Sequence, residues 1–238
     1  MICDMHTHSK YSFDSTYSLE EYCRAALDRG ITAFATTDHC DMLEGELGYT
    51  DYTSKEDARL EEYAYVREKY PELEILYGIE IGNTEYMPEK ATEFLARRDF
   101  DFVLGSIHYL PDGSDLYLLP YNNDEEIDAM FREYFSSMLK IIDIGGFDSL
   151  AHLDYPLRKL VGKWDDSIIR YRDTVDEILR RIIRKDIALE INTKGFYTAQ
   201  KRVGPENWVL KRYRELGGKL ITIGSDAHPP LRLGAGFD

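Results

Sequence analysis

Residues 2–8 read Ile2-Cys3-Asp4-Met5-His6-Thr7-His8, an apolar start that ends in two histidines two positions apart. On a strand, residues at that spacing face the same way, so both imidazoles can reach one ion. The pattern recurs along the chain, short apolar runs alternating with longer helix-like stretches. The runs fall at 2–8, 31–37, 74–82, 102–108, 147–152, 187–192 and 220–225. Helical stretches fall at about 19–29, 55–70, 88–98, 125–142, 166–185 and 205–216. Ser18, with Glu21 three residues on, is an N-cap signal, and Gly30 and Gly217 stand where helices should stop.

Seven strands separated by six helices imply a parallel sheet, because each parallel crossover needs a helix. An open doubly wound sheet and a closed barrel share this pattern. The first strand is followed by no GxGxxG, and there is no P-loop, which weakens the nucleotide-binding open sheets. No repeat, low-complexity stretch or linker divides the chain, so residues 1–238 are expected to form a single domain. Two connections, 40–54 and 109–124, are longer than a barrel needs. Both are rich in Tyr and acidic residues, which makes them candidate lids.

Composition narrows the function classes. The chain is 43% hydrophobic and 31% charged, as expected of a well-solvated globular protein. No apolar run approaches the roughly 20 residues that cross a bilayer, and positions 1–7 are too short and polar for a signal peptide. Cys3, Cys23 and Cys40 cannot all pair and form no CxxC, which fits a reducing compartment; the expected location is cytoplasmic. A thiolate role for Cys40, beside His39, competes with the ordinary reading of a small buried hydrophobe. A net charge of −15 argues against a nucleic-acid binder and leaves a small anionic substrate open, since bound cations can dominate the field inside one pocket.

All six histidines, His6, His8, His39, His108, His152 and His228, lie at the C-terminal end of an expected strand or just beyond it. That edge carries the active site of parallel α/β folds. Glu80 sits near the end of an apolar strand in Gly78-Ile79-Glu80-Ile81-Gly82, where a buried carboxylate needs a partner or a metal. Asp226 and His228 are two apart in Gly224-Ser225-Asp226-Ala227-His228. Asp38 is read as a buried acid that orients a ligand. Counting Asp14, whose loop position also suits a turn or cap, these side chains offer nine N/O ligands, too many for one ion. Two or three ions follow, with Glu80 able to bridge. Imidazole and carboxylate without thiolate suit divalent Zn, Mn or Fe. Clustered ions of this kind generate hydroxide at neutral pH and clamp a phosphoryl group, so phosphate-ester hydrolysis is the leading reaction class. Glu80, Asp226 and His228 are the expected catalytic residues within the set.

Taken in order, His6-x-His8, Thr37-Asp38-His39, Gly78-x-Glu80, Ser106-x-His108, Ala151-His152-Leu153-Asp154 and Gly224-Ser225-Asp226-Ala227-His228 resemble the successive motifs of the PHP family of metal-dependent phosphoesterases. The resemblance runs the length of the chain. It implies a distorted (β/α)7 TIM-like barrel with a trinuclear metal centre on its C-terminal rim. It also adds Asp14 to the ligands through the loop Ser9-Lys10-Tyr11-Ser12-Phe13-Asp14. Within the family the chain is most similar to stand-alone histidinol-phosphatases, in Tyr11-Ser12-Phe13-Asp14, Asp154-Tyr155-Pro156-Leu157-Arg158-Lys159 and Glu190-Ile191-Asn192-Thr193-Lys194-Gly195. That implies hydrolysis of L-histidinol phosphate to L-histidinol and phosphate. The sequence departs from the family in stopping at Gly236-Phe237-Asp238, where relatives continue into a last helix over the first and seventh strands.

A small phosphorylated substrate needs fixed cations besides the metals. Arg158 comes first, because a guanidinium grips phosphate bidentately, and Lys194 second; each could equally be a surface residue. The competing functions are a phosphoesterase acting on nucleotides or another small phosphate ester, a PHP exonuclease or polymerase partner, and a metal-binding module without catalysis. The acidic charge and the absence of a basic stripe oppose the second, and the complete ligand set opposes the third.

Overall fold

Short apolar runs flanked by helices do become a parallel sheet. A computed structural model of the protein describes residues 2–43, 48–162 and 167–237. Its strands are β1 (Cys3–Thr7), β2 (Ala33–Thr36), β3 (His39–Asp41), β4 (Glu74–Gly82), β5 (Phe102–Ser106), β6 (Ser149–Leu150), β7 (Ala188–Asn192) and β8 (Ile221–Gly224). All pairings are parallel, in the order β1-β2-β4-β5-β6-β7-β8, with β3 paired to the upper half of β4. A parallel bridge between Thr7 and Ala227 brings the two ends of this order together, and His8 N–H donates to Ala227 O at 2.8 Å. The result is the expected TIM-like barrel.

The helices are α1 (Leu19–Arg29), α2 (Tyr49–Ser54), α3 (Glu56–Lys69), α4 (Pro88–Ala96), α5 (Asp124–Ile144), α6 (Arg172–Arg184) and α7 (Asn207–Glu215). Ser18 and Glu21 form the expected capping box, and Gly30 ends α1 at φ 68°, a left-handed conformation that suits glycine. Alternate residues of the strands divide between two environments. Ile79 and Ile81 of β4 and Leu189 of β7 face outward into the large core shared with α5 and α6. Glu80 and Glu190, of opposite parity on the same strands, face the barrel interior. That interior therefore mixes a small apolar layer around Leu104 and Ala35 with a polar layer above it.

Two expected boundaries change. The 40–54 connection is not an open lid: it contributes β3 and α2, so the described residues hold eight strands and seven helices. Three residues are too few to show a strand pattern, and Gly48, which precedes α2, offers no side-chain cap, so neither element announces itself. Residues 44–47 lie outside the described residues, as does 166, where the sixth helix is expected to start; among described residues α6 begins at Arg172 after a 3-10 turn. Beyond β8 a 3-10 turn, Pro230–Arg232, is the last regular element described. The outward residues Ile221 and Ile223 of β8 remain 47% and 41% exposed, with no helix over them among the described residues.

The barrel seam depends on a buried acid. Asp4 has no solvent exposure, and its carboxylate accepts from Ser225 N at 2.9 Å, Ser225 Oγ at 2.5 Å and Gly234 N at 2.7 Å. Burial pushes its carboxyl up to about 6, with these hydrogen bonds opposing the rise. Asp4→Ala leaves at least two buried N–H groups without acceptors, an expected loss of about 2–4 kcal/mol. In thermal unfolding the Tm should fall by roughly 5–15 °C. Because the folded pKa lies above the unfolded one, the gap between wild type and variant should be widest near pH 4 and narrow as pH rises through 6. An unchanged Tm would mean that the seam is held elsewhere.

Candidate metal centre

Parallel strands deliver their C-terminal ends to one rim, and there the nine expected ligands meet. Their donor atoms form four overlapping groups, each with atoms within 4.8 Å of one another: His8, Asp14, His39 and His228; His6, His8 and Glu80; His6, His152 and Asp226; His39, Glu80 and His108. His6 and His8 converge with their Nε2 atoms 3.1 Å apart. An irregularity in β1 between Asp4 and Thr7 accompanies this, the kind of local kink that re-aims a side chain beside a site.

Glu80 stands at the middle. It is fully buried, and its two oxygens address different neighbours. Oε1 lies 2.8 Å from His152 Nε2 and 3.2 Å from His108 Nε2. Oε2 lies 3.1 Å from His39 Nδ1, 3.4 Å from His6 Nε2 and 3.6 Å from His8 Nε2. Glu80 Oε2, His39 Nδ1 and His152 Nδ1 have no hydrogen-bond partner although buried. Orphaned oxygen and imidazole nitrogen atoms, clustered and deeply buried, are the donor set that a divalent transition metal takes. Glycine makes the room: a Cβ on Gly82 would sit 1.9 Å from Asp41 Oδ1, so only glycine lets that acid reach the rim.

The electrostatics follow from this crowding. Burial alone would raise the Glu80 carboxyl, but the imidazoles of His108, His39 and His6 outweigh it and hold it well below the usual carboxylate range. Burial pushes His152 down to about 4, and it pushes His8 well below the usual imidazole value with help from His228 and His39. At His6 burial is outweighed by Glu190, Glu80 and Asp226, and at His108 by Asp41 and Glu80, which lift it to about 10.

Several partners escape a reading by strand ends. Glu190 Oε1 accepts from His6 Nδ1 at 2.5 Å, while its Oε2 accepts from His152 N at 2.7 Å. Asp41 Oδ1 lies 2.8 Å from His108 Nδ1. These acids fix ring orientation, as carboxylates behind ligating histidines do. Glu190 lies in Ala188-Leu189-Glu190-Ile191-Asn192, an acid in an apolar strand, the same signal that singles out Glu80. Asp38 is a buried acid as expected, but its partners are not a ligand ring. It accepts from Ser9 N at 2.6 Å and Ser9 Oγ at 3.0 Å, and it pairs with the buried Arg59 at 2.9 Å. It anchors the loop that carries Asp14. Cys40 packs in the core with its thiol pushed well up by burial, as a small hydrophobe.

Arg158 and Lys194 both reach the rim. Arg158 Nη1 lies 2.9 Å from Asp226 Oδ2, and Lys194 Nζ 2.8 Å from Asp226 Oδ1. Tyr155 supports the guanidinium, its ring centroid 4.9 Å from Arg158 Cζ. Both cations line one cavity of about 600 Å³, together with Glu80, His228 and, from the 109–124 connection, Tyr109, Asp115 and Tyr117. That connection does wall the site. Among the described residues of the 40–54 connection, only Asp41 lines the cavity.

A parallel barrel that gathers imidazoles and carboxylates around one rim cavity defines a metal-dependent hydrolase. The family model for the PHP domain matches residues 4–194, and the chain belongs to the PHP family. It is 34% identical to the "Probable histidinol-phosphatase" of Clostridium acetobutylicum, over 100% of this chain and 90% of that one. It is 31% identical to the protein of the same description from Thermotoga maritima, over 99% and 88%. A crystal structure of histidinol phosphate phosphatase from Lactococcus lactis, complexed with zinc, L-histidinol and phosphate, matches with a TM-score of 0.78 at 27% identity, covering 95% of this chain and 86% of that one.

Glu80→Gln keeps the shape of the side chain and removes its charge. The variant is expected to stay folded by circular dichroism and to lose at least one bound ion relative to wild type in elemental analysis. Equal metal content would rule out a bridging carboxylate. Metal ligands must be neutral imidazoles, whereas in the metal-free protein acidic neighbours raise His6 and lift His108 to about 10. Loading should therefore release protons, and apparent affinity should rise from pH 6 to 8. Calorimetry in buffers of different ionisation enthalpy reads this directly; a pH-independent affinity would contradict it.

Proposed function

We propose that the protein is a phosphomonoesterase that hydrolyses L-histidinol phosphate to L-histidinol and phosphate. In this reading His6, His8, Asp14, His39, Glu80, His108, His152, Asp226 and His228 hold two or three divalent ions, of Zn, Mn or Fe. Divalent ions bound there supply an activated water at neutral pH and Lewis acidity toward phosphoryl oxygens. The observation that carries the reading is that Arg158 and Lys194 open onto the same cavity as seven of these nine side chains, Asp14, His39, Glu80, His108, His152, Asp226 and His228. A cavity of about 600 Å³ suits a small molecule.

Arg158 and Lys194 bind the substrate phosphate. Both now neutralise Asp226, whose carboxyl lies well below its usual range because Lys194, Arg158 and His6 outweigh burial. An arriving phosphate competes for the same two cations, so binding shifts positive charge from Asp226 to the substrate. Tyr155, packed on the His152 ring at 4.9 Å, keeps the guanidinium from swinging out. Relatives described as histidinol-phosphatases, matched along nearly the whole chain, support the choice of substrate. The three cysteines are unpaired, which supports a cytoplasmic setting. No described helix is long and apolar enough to cross a membrane.

Two measurements test the reading. Arg158→Ala should raise KM for a phosphomonoester and lower kcat/KM by roughly ten- to a hundred-fold, the effect of losing one charged hydrogen-bonding partner. An unchanged kcat/KM would leave Arg158 as a partner of Asp226 alone. Under one metal condition, kcat/KM for L-histidinol phosphate should exceed that for nucleoside monophosphates and for single-stranded DNA. A preference for either of those would keep the metal chemistry and overturn the substrate.

A further inference from the structure

The acids that line the cavity are not equivalent. Asp14 lies 2.6 Å from His228 Nε2, Asp41 faces His108, Glu80 sits among imidazoles, and Asp226 holds Arg158 and Lys194. Asp115 differs. Its Oδ1 accepts the backbone N–H of Tyr117 at 2.7 Å, and among the described residues no cationic side chain lies within 4 Å of its carboxylate. Lys159, the other cation on this wall, sits with Nζ 3.6 Å from the centre of the Tyr117 ring instead.

The backbone holds Asp115 beside the metal rim. After His108 the chain turns back on itself: Tyr109 and Asp115 form an antiparallel bridge, and Leu116 N–H donates to His108 O at 3.0 Å. Bridged residues lie about 4.5–5.5 Å apart at Cα, so Asp115 is one strand-width from the neighbour of a metal-facing histidine.

We propose that Asp115 is a specificity-determining residue that receives the ammonium group of the substrate, and that the site selects phosphomonoesters of vicinal amino alcohols. The proposal rests on the phosphatase reading above. In such an ester the ammonium sits on the carbon next to the ester-bearing one. The phosphate and the cation are therefore close together, as the Arg158–Lys194 pair and Asp115 are on one small cavity. A carboxylate binds an ammonium by charge-assisted hydrogen bonds, and the Tyr109 and Tyr117 rings offer cation–π contact on the same wall. The carboxylate repels a second phosphate or a polyanion, which gives discrimination against nucleoside diphosphates and DNA as well as affinity.

The test compares L-histidinol phosphate with 3-(imidazol-4-yl)propyl phosphate, the same ester without the amine, in wild type and Asp115→Asn. The amide oxygen of Asn can still accept from Tyr117 N–H, so the turn is retained while the charge is lost. The expected result is a roughly ten- to a hundred-fold fall in kcat/KM on the amine-bearing ester, mainly through KM. The amine-free ester should change by no more than about twofold, and metal content should not change. Equal losses on the two esters would show a structural role, and no loss on either would remove Asp115 from the site; each overturns the proposal. If wild type releases phosphate from p-nitrophenyl phosphate but from neither imidazole ester, the substrate reading fails first, an outcome distinct from failure of Asp115 within a working histidinol-phosphatase.

Discussion

The carboxylate of Glu80 is fully buried, and imidazoles of His6, His8, His39, His108 and His152 lie within 3.6 Å. Taking an anion out of water costs several kcal/mol unless positive charge replaces the solvent. In the metal-free protein the raised imidazoles of His6, His39 and His108 supply that charge, at the cost of crowding like charges together. Divalent ions supply it instead, and they also use the lone pairs that His39 and His152 otherwise leave orphaned. The rest of the rim is arranged around this need. Gly82 clears space for Asp41, β3 exists to set His39 opposite Glu80 in register, and the end of β8 is drawn to β1 so that Asp226 and His228 close the ring.

A second layer of buried acids holds the first in place. Glu190 and Asp41 orient His6 and His108, Asp38 ties the Ser9 loop to Arg59, and Asp4 stitches the barrel seam through Ser225 and Gly234. Arg59 shows how such a layer is stabilised. It donates to Thr36 O and Gly78 O, where β2 and β4 separate, and Tyr52, Tyr63 and Tyr77 surround its guanidinium. Its charge is matched to Asp38, so neither ion is buried alone. Asp115 stands outside this layer. It is a lining acid matched to no cation among the described residues, and that leaves its charge for a ligand.

The parts of this arrangement that were legible in the sequence are those that topology enforces. Parallel strands share one C-terminal edge, so histidines at strand ends must meet, and an acid between isoleucines must find a counter-charge. His6, His8, His39, Glu80, His108, His152, Asp226 and His228 come together on those grounds. Asp14 comes from the resemblance, and the site groups it with His8, His39 and His228. Illegible features were those set by contact rather than by pattern. The short β3 carries no period, Asp41 gains its meaning only by lying against His108, and the break between α2 and α3 at Lys55 has no side-chain cap to mark it. Glu190 was readable by the rule that finds Glu80. Asp38 was read correctly as a buried acid, but its partner could not be chosen before the fold placed Arg59 beside it.

Anomalous diffraction from crystals of the metal-loaded protein, recorded at the absorption edge of the loaded ion, tests the central claim most directly. Two or three peaks inside the ring of His6, His8, Asp14, His39, Glu80, His108, His152, Asp226 and His228, with one lying against each oxygen of Glu80, are the predicted result. A single peak at full loading, or peaks ligated by other residues, would contradict the account.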